Sequence, residues 1–117
     1  MSQYEALSLY IDGEFLSGDG RTTQDVVNPA TGEVLAQLPH ASEADLDRAL
    51  KAADRAFQTW RHSSPMDRSA ILRKAAELAR ERAQDIGLNL TRDQGKPLAE
   101  AVGEIISCAD HCDWHAE

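Results

Sequence analysis

Hydrophobic and polar positions follow two different periods along the chain, and the shorter period comes first. Short apolar runs flank Asp12-Gly13 in "LYIDGEFL", and "DVVNPATGEVLAQL" places similar runs on both sides of Asn28-Pro29. An Asp-Gly pair suits a type I′ turn because both residues tolerate a positive φ. Residues 17–21 form a further turn cluster. This pattern predicts short β-hairpins in the first third of the chain.

From residue 42 onward, apolar positions recur every three or four residues, which is typical of amphipathic helices. Ser42 predicts an N-cap, with Asp45 in capping-box spacing. Ser64 and Pro65 predict the start of a second helix that extends to about Arg82. The apolar stripe of the first helix comprises Leu46, Ala49, Leu50, Ala53, Ala56, Phe57 and Trp60, and that of the second comprises Ile71, Ala75, Leu78 and Ala79.

Two more helices are predicted on either side of a Gly-Lys-Pro joint. The third runs to about Asp93 and is weakened by Gly87. Gly95 is expected to end it in a left-handed conformation, and Pro97 is expected to begin the fourth. Lys96 is expected to be a solvated charge at the joint. The apolar positions are Ile86 and Leu90 in the third helix and Leu98, Ala101, Val102, Ile105 and Ala109 in the fourth.

The Gly95-Lys96 pair does not complete a phosphate-binding loop. That motif needs a glycine five residues before the Gly-Lys glycine and a Ser or Thr after the lysine. Leu90 and Pro97 occupy those two positions. The chain also has no G-x-G-x-x-G segment between a strand and a helix. Both nucleotide-binding motifs are therefore excluded, and the joint is predicted to connect two helices.

Charge and length restrict the function classes further. The chain has 117 residues and a net charge of −8, from 20 acidic and 12 basic residues. This balance opposes binding to nucleic acid or to an anionic membrane. No apolar run approaches the roughly 18 residues of a membrane span, and the N-terminus lacks a secretory signal pattern. Two cysteines without such a signal indicate reduced thiols and a cytoplasmic protein.

Four potential metal ligands, Cys108, His111, Cys112 and His115, fall on one face of the predicted fourth helix. The outer two would be separated by about 10 Å along the helix axis, which is too far to share one zinc ion. Two neighbours such as Cys108 and Cys112 would need further ligands from another segment. A packing face of small thiols and interfacial histidines is the favoured interpretation, and a metal-binding helical protein is the alternative.

Neither cysteine is predicted to be a nucleophile. A reactive thiolate needs a nearby helix N-terminus or cation, whereas Asp110 and Asp113 lie beside these thiols and disfavour the charged form. His40 and His62 lie in predicted loops without a serine–acid partner and are expected to be surface residues. The sequence therefore supplies no catalytic residue. The fourth helix also reaches the last residue without a stop signal, so we expect the chain to be truncated.

Six segments in fixed order resemble the N-terminal part of the aldehyde dehydrogenase superfamily. They are "LYIDGEF", "VVNPATGEVLAQLP", "ASEADLDRALKAADRAFQTWR", "DRSAILRKAAELARERA", "LTRDQGKPLAEAVGEI" and "DWHAE", and they extend from about Leu9 to Glu117. Within the superfamily, "SPMDRSAILRKAAEL" and "DQGKPLAEA" are most similar to bacterial succinate-semialdehyde dehydrogenases. The resemblance implies an α/β fold in which residues 1–117 are the incomplete N-terminal part of an NAD(P)-binding domain. Residues 1–8 are expected to be a flexible N-terminus.

The resemblance also implies a chemistry that this chain does not contain. In the family, a cysteine thiolate attacks the aldehyde carbon, hydride passes to NAD or NADP, and water hydrolyses the thioester. The family's cysteine, glutamate and nucleotide-contacting motifs all lie beyond the position that matches Glu117. This chain alone is therefore expected to be inactive and to hold no cofactor-binding residue. The complete protein is expected to act on a small aldehyde as a homodimer or homotetramer.

One family site can be carried over to residues of this chain. Many members hold a monovalent cation, Na⁺ or K⁺, and the matching ligands here are the backbone carbonyls of Val26 and Val27 and the carboxylate of Asp93. A hard cation takes several oxygen ligands of these two kinds. The alternative is that Asp93 caps the turn at "DQG" without an ion.

A different class of function stays open at this point. The apolar stripes on several helices could instead belong to a stand-alone, non-catalytic helical module that folds by association with itself or with a partner.

Overall fold

The computed structural model describes residues 4–117, which divide into two compact units. The first unit contains the residues up to Val27 together with Gly32–His62, and the second contains Asn28–Thr31 together with Ser63–Glu117. Of the N-terminus predicted to be flexible, residues 1–3 lie outside the described part. The assignment of residues 1–117 to an incomplete cofactor-binding domain stays a prediction. No helix within the described range is long and apolar enough to span a membrane.

Both predicted hairpins are present in the first unit. The antiparallel strands β1 (Leu9–Ile11) and β2 (Glu14–Leu16) are joined by Asp12 and Gly13, whose φ values of 57° and 82° confirm the left-handed turn. The strands β3 (Thr23–Val27) and β4 (Val34–Pro39) form the second antiparallel pair. Their register shifts between Val26 and Val27.

The first helix, α1 (Glu43–Trp60), begins as predicted. Ser42 Oγ accepts a hydrogen bond from the Asp45 N–H, and the Asp45 carboxylate accepts one from the Ser42 N–H, which completes the capping box. The helix contacts β1, and the large side chains of its apolar stripe are exposed. Leu50 is 69% exposed and Phe57 is 54% exposed. The prediction of the helix is therefore confirmed, while its apolar side is open to solvent.

Three helices form the second unit: α2 (Pro65–Glu81), α3 (Ala83–Gln94) and α4 (Leu98–His115). α4 packs against both α2 and α3. The core of the unit is built from small side chains, because Ala76, Ala101 and Ala109 are completely buried. No large side chain in residues 4–117 reaches that degree of burial. Small residues let helix axes approach closely but remove little apolar area from water.

The joint between α3 and α4 contains the predicted left-handed glycine. Gly95 has a φ of 75° and donates its N–H to the Thr91 carbonyl at 2.8 Å, which ends α3 in a left-handed cap. Pro97 is the N-cap residue of α4, so the helix begins one residue later than predicted. Together, two hairpins and four helices confirm the predicted content of the segment.

Candidate functional site

The most extensive polar cluster of the first unit joins the turn before β3 to the start of α1. Asp45 is only 8% exposed and accepts hydrogen bonds from both terminal nitrogens of Arg21, with Nη2 at 3.1 Å from Oδ1. Oδ2 also accepts from the Ser42 N–H at 2.8 Å and from the Ser42 hydroxyl at 2.6 Å. One buried carboxylate therefore serves as both the capping-box acid and the partner of a bidentate arginine.

The hydrogen bonds from Arg21, followed by those from Ser42, hold the pKa of Asp45 well below its usual range. The same pairing raises the pKa of Arg21. A general acid or base needs a pKa near the working pH, so this carboxylate, which stays ionised in neutral solution, is poorly suited to that role. The cluster is therefore structural.

An open polar cavity of about 450 Å³ lies beside this pair and is lined by Asp19, Gly20, Arg21, Thr22, His40, Ala41 and Ser42. Its one arginine has both terminal nitrogens on Asp45. The guanidinium that lines the cavity is therefore already neutralised by Asp45 and is not free to bind an anion. His40 is exposed there, as expected of a surface histidine, and His62 is exposed as well.

The four residues considered as metal ligands do not form a metal site. Cys108, His111 and His115 are exposed and Cys112 is half-buried, so the face is largely open to solvent rather than packed within the unit. Across residues 4–117, no three His, Cys, Asp or Glu side chains are placed to hold one ion.

The aspartates beside the two thiols have a different partner. Arg80 of α2 donates to Asp110 at 2.7 Å and to Asp113 at 2.6 Å, which links α2 to α4. These bonds, the one to Asp110 first, raise the pKa of Arg80. Both cysteines lie in the C-terminal half of α4, away from the N-terminus of that helix. That neither thiol is a nucleophile stays a prediction.

The prediction of a solvated charge at Lys96 is wrong. Its ammonium forms an ion pair with Glu104, in the second turn of α4, and its side chain is 22% exposed rather than fully solvated. A lysine stem that lies along a helix covers apolar surface while the charge finds a partner. Lys96 therefore links the joint to α4 through this ion pair, and its ammonium is not available to bind a phosphate.

The predicted cation ligands divide between the two units. Val26 and Val27 are the last residues of β3 in the first unit, and Asp93 belongs to the last turn of α3 in the second. The cation site stays a prediction.

The described residues do not fit a dinucleotide. A pyrophosphate cradle needs a glycine-rich turn between a strand and a helix N-terminus. Here β4 leads to α1 through His40 and Ala41 without a glycine, and both sheets consist of antiparallel hairpins. That NAD or NADP is held by residues outside this chain stays a prediction.

Sequence reasoning missed the ion pairs that attach α1 to the hairpins. Asp45 was found as a capping residue, but its partner Arg21 lies 24 residues earlier, in a turn with no pairing signal. Arg55 likewise donates to both oxygens of Asp12 at 2.8 Å, and Arg48 pairs with Glu14. Only the fold brings these partners together.

Comparisons of the sequence and of the fold with known proteins both find aldehyde dehydrogenases. A sequence profile described as the Aldehyde dehydrogenase family matches residues 15–117. Glutarate-semialdehyde dehydrogenase of Pseudomonas putida is 46% identical over 108 residues, which are 92% of this chain and 22% of that protein. The chain thus spans about a fifth of the length of this relative.

Two solved structures share the fold of the chain. The crystal structure of succinate-semialdehyde dehydrogenase from Burkholderia pseudomallei is 42% identical with a TM-score of 0.87, over 93% of this chain and 23% of that one. Lactaldehyde dehydrogenase from Escherichia coli is 35% identical with a TM-score of 0.89, over 95% of this chain and 23% of that one. The predicted fold class, the first segment of a larger α/β protein, is confirmed.

Proposed function

Because the chain belongs to the aldehyde dehydrogenase family, we propose that it is the N-terminal part of a longer NAD(P)-dependent dehydrogenase that oxidises a semialdehyde to the carboxylic acid. The observation that carries this proposal is the 46% identity with a glutarate-semialdehyde dehydrogenase over 92% of the chain. The 42% identity with a succinate-semialdehyde dehydrogenase supports the same substrate class. Succinate semialdehyde is the first substrate to test.

Within that protein, the chain acts as a framework for the cofactor-binding domain. Among the described residues, Asp45 has a strongly lowered pKa and is committed to hydrogen bonds with Arg21 and Ser42, and neither thiol lies at the N-terminal end of α4. The cysteine that forms the thioester and the base that activates water therefore belong to residues outside the chain. Bound NAD or NADP supplies the hydride acceptor in this chemistry. We place the complete protein in the cytoplasm as a homodimer or homotetramer.

The proposal is tested by the intact mass and the activity of the native polypeptide. We expect a mass several times the 12.8 kDa of this chain, and reduction of NAD or NADP with succinate or glutarate semialdehyde. The purified 117-residue chain should give no reduction at any substrate concentration. A native mass near 12.8 kDa, or turnover by the short chain, would contradict the proposal.

A non-catalytic association module is the second candidate, and the exposed side of α1 favours it. Leu50 and Phe57 are both more than half exposed, and exposed apolar stripes promote association. A native polypeptide of 117 residues that sediments as one oligomer and melts cooperatively would select this function over the first.

The monovalent cation is part of the proposal for the complete protein. It rests on the family resemblance, which assigns the ion to the backbone carbonyls of Val26 and Val27 and to the carboxylate of Asp93. A single carboxylate with neutral carbonyls suits a weakly held Na⁺ or K⁺. Such an ion would be structural.

A further inference from the structure

The exposed stripe of α1 follows a coiled-coil repeat. Leu46, Leu50, Ala53, Phe57 and Trp60 succeed one another at steps of four, three, four and three residues, and we call this row the α1 seam. That spacing is the one at which apolar residues face a partner helix in a heptad repeat. Within this chain, the four large members are between 45% and 69% exposed. The seam is thus arranged to face another helix, and the described residues of the first unit contain no helix besides α1.

The hairpins of the same unit cannot be that partner because they already occupy another side of α1. Arg48 pairs with Glu14 of β2, and Arg55 donates to both carboxylate oxygens of Asp12 in the turn between β1 and β2. A surface helix usually turns its apolar face inward and its charges outward. α1 does the reverse, since its arginines hold the hairpin and its leucines and aromatic residues face solvent.

Charged residues beside the seam indicate the character of the partner. Asp47 and Asp54 occupy one flank, with Lys51 in the next row outward, and Ala49 and Ala56 occupy the other flank. Flanking charges select partners in coiled coils. A second copy of α1 would bring its aspartates against these in an antiparallel pair and against alanines in a parallel one. Neither pairing gains an ion pair, so the flanks favour a different helix that carries Lys or Arg.

We propose that the α1 seam binds one further α-helix from the part of the longer polypeptide that follows residue 117, with an apolar contact face flanked by Lys or Arg. The inference rests on the proposed function, in which about four-fifths of the protein lies outside this chain, as the 22% coverage of the Pseudomonas putida relative indicates. A helix from the same polypeptide would be present at high effective concentration and would cover the seam permanently.

Oxidative footprinting with mass spectrometry tests the proposal, because it reports the solvent access of Phe57 and Trp60 peptide by peptide. We expect ready oxidation of both in the 117-residue chain and several-fold slower oxidation in the longer protein. Equal rates in the two proteins would overturn the α1 seam proposal and leave the proposed function intact. Protection that appears in the short chain together with a sedimenting dimer would identify a second copy as the occupant and also overturn it.

Matched substitutions on α1 distinguish the loss of a helix contact at the α1 seam from a general loss of stability. Leu50→Gln should leave the melting temperature of the short chain almost unchanged and lower that of the longer protein by several degrees. Gln58→Ala, on the same helix but outside the seam, should affect neither protein strongly. Asp54→Lys should lower the melting temperature of the longer protein if Leu50→Gln prevents its folding. If the melting temperature of the longer protein were unchanged by both Leu50→Gln and Asp54→Lys, the proposal would be refuted.

A native mass near 12.8 kDa is recognised before either measurement and contradicts the proposed function itself. A result that contradicts the α1 seam proposal is therefore distinguishable from a result that contradicts the proposed enzyme function.

Discussion

Gly87 of α3 lies so close to Val102 of α4 that a Cβ on the glycine would be 2.7 Å from Val102 Cγ2. The backbone N and Cα of Val102 would be 3.1 and 3.2 Å from the same atom. Gly87 is also buried. The residue that weakens α3 as an isolated helix is therefore the one that allows α3 and α4 to meet.

Replacement of Gly87 by alanine should destabilise the chain despite the better helix propensity of alanine. The propensity gain is about 1 kcal/mol, and overpacking of a closely packed contact costs about 1–3 kcal/mol. We expect a net loss of up to about 2 kcal/mol in the free energy of unfolding, measured by urea denaturation. Val102→Ala should restore part of the loss in the double variant, because it removes the nearest clashing atom.

Gly103→Ala is the matched control for this substitution. Gly103 is also a helical glycine, but a Cβ there would have no atom within 4 Å. Its replacement should stabilise the chain by about 1 kcal/mol through helix propensity alone. If both alanine variants were stabilised equally, the close approach of α3 and α4 would not exist in solution.

Sequence reasoning succeeded where the determining interactions are local. Asp12 and Gly13 specify a left-handed turn, and Ser42 with Asp45 specifies a capping box, because each pair acts over three residues or fewer. Gly95 was likewise predictable as a left-handed helix end, since few other residues tolerate that conformation. These features depend on backbone preferences that operate before any tertiary contact forms.

Features that depend on tertiary contacts were not predictable from the sequence. The apolar period of α1 located a helix but did not reveal that Leu50 would stay exposed, because the period does not say whether a partner is present. Arg21 and Asp45 are separated by 24 residues, and neither carries a local sign of the other. Gly87 was correctly seen as a weak helix former, but its reason lies in Val102 of another helix.

Asp45 should make the stability of the chain depend on pH in the acid range. The pKa of its carboxyl is lowered in the folded state, chiefly by Arg21 and then by Ser42. The resulting stabilisation is fully present above the unfolded pKa of about 3.9 and is lost as the pH falls through the folded pKa. Asp45→Asn should therefore lower the melting temperature at neutral pH, and its difference from the wild type should shrink below about pH 4.

The control for the Asp45 experiment is Asp25→Asn. Asp25 accepts a hydrogen bond from the Gln37 amide on an exposed part of β3, so its replacement should change the melting temperature much less. A difference between Asp45→Asn and the wild type that stayed constant from neutral pH to pH 2 would show that the loss comes from packing rather than from the ionised carboxylate.

Gly95→Ala should destabilise the joint between α3 and α4. Gly95 has a φ of 75°, and a Cβ there would lie 3.1 Å from Pro29 Cγ. A non-glycine residue in the left-handed region costs about 1–2 kcal/mol. We expect a loss of that size by urea denaturation, whereas Gly103→Ala should stabilise. A neutral effect of Gly95→Ala would mean that the cap rearranges without cost.

We expect the complete protein to be stabilised by the monovalent cation that the family resemblance assigns to Val26, Val27 and Asp93. The complete protein is needed because one ligand is expected from residues outside this chain. A bound ion stabilises the folded state by about 1.4 kcal/mol when its concentration is tenfold above the dissociation constant. The melting temperature should therefore be higher in NaCl or KCl than in choline chloride of equal ionic strength.

Asp93→Asn should abolish this difference between the salts, since it removes the only carboxylate among the three ligands. Asp85→Asn, near the start of the same helix, should keep the difference and so controls for a general loss of charge. Because Val26 and Val27 contribute backbone carbonyls, their replacement by isoleucine should also keep it. If the wild type melted at the same temperature in all three salts, Asp93 would be the cap of the "DQG" turn and would bind no ion.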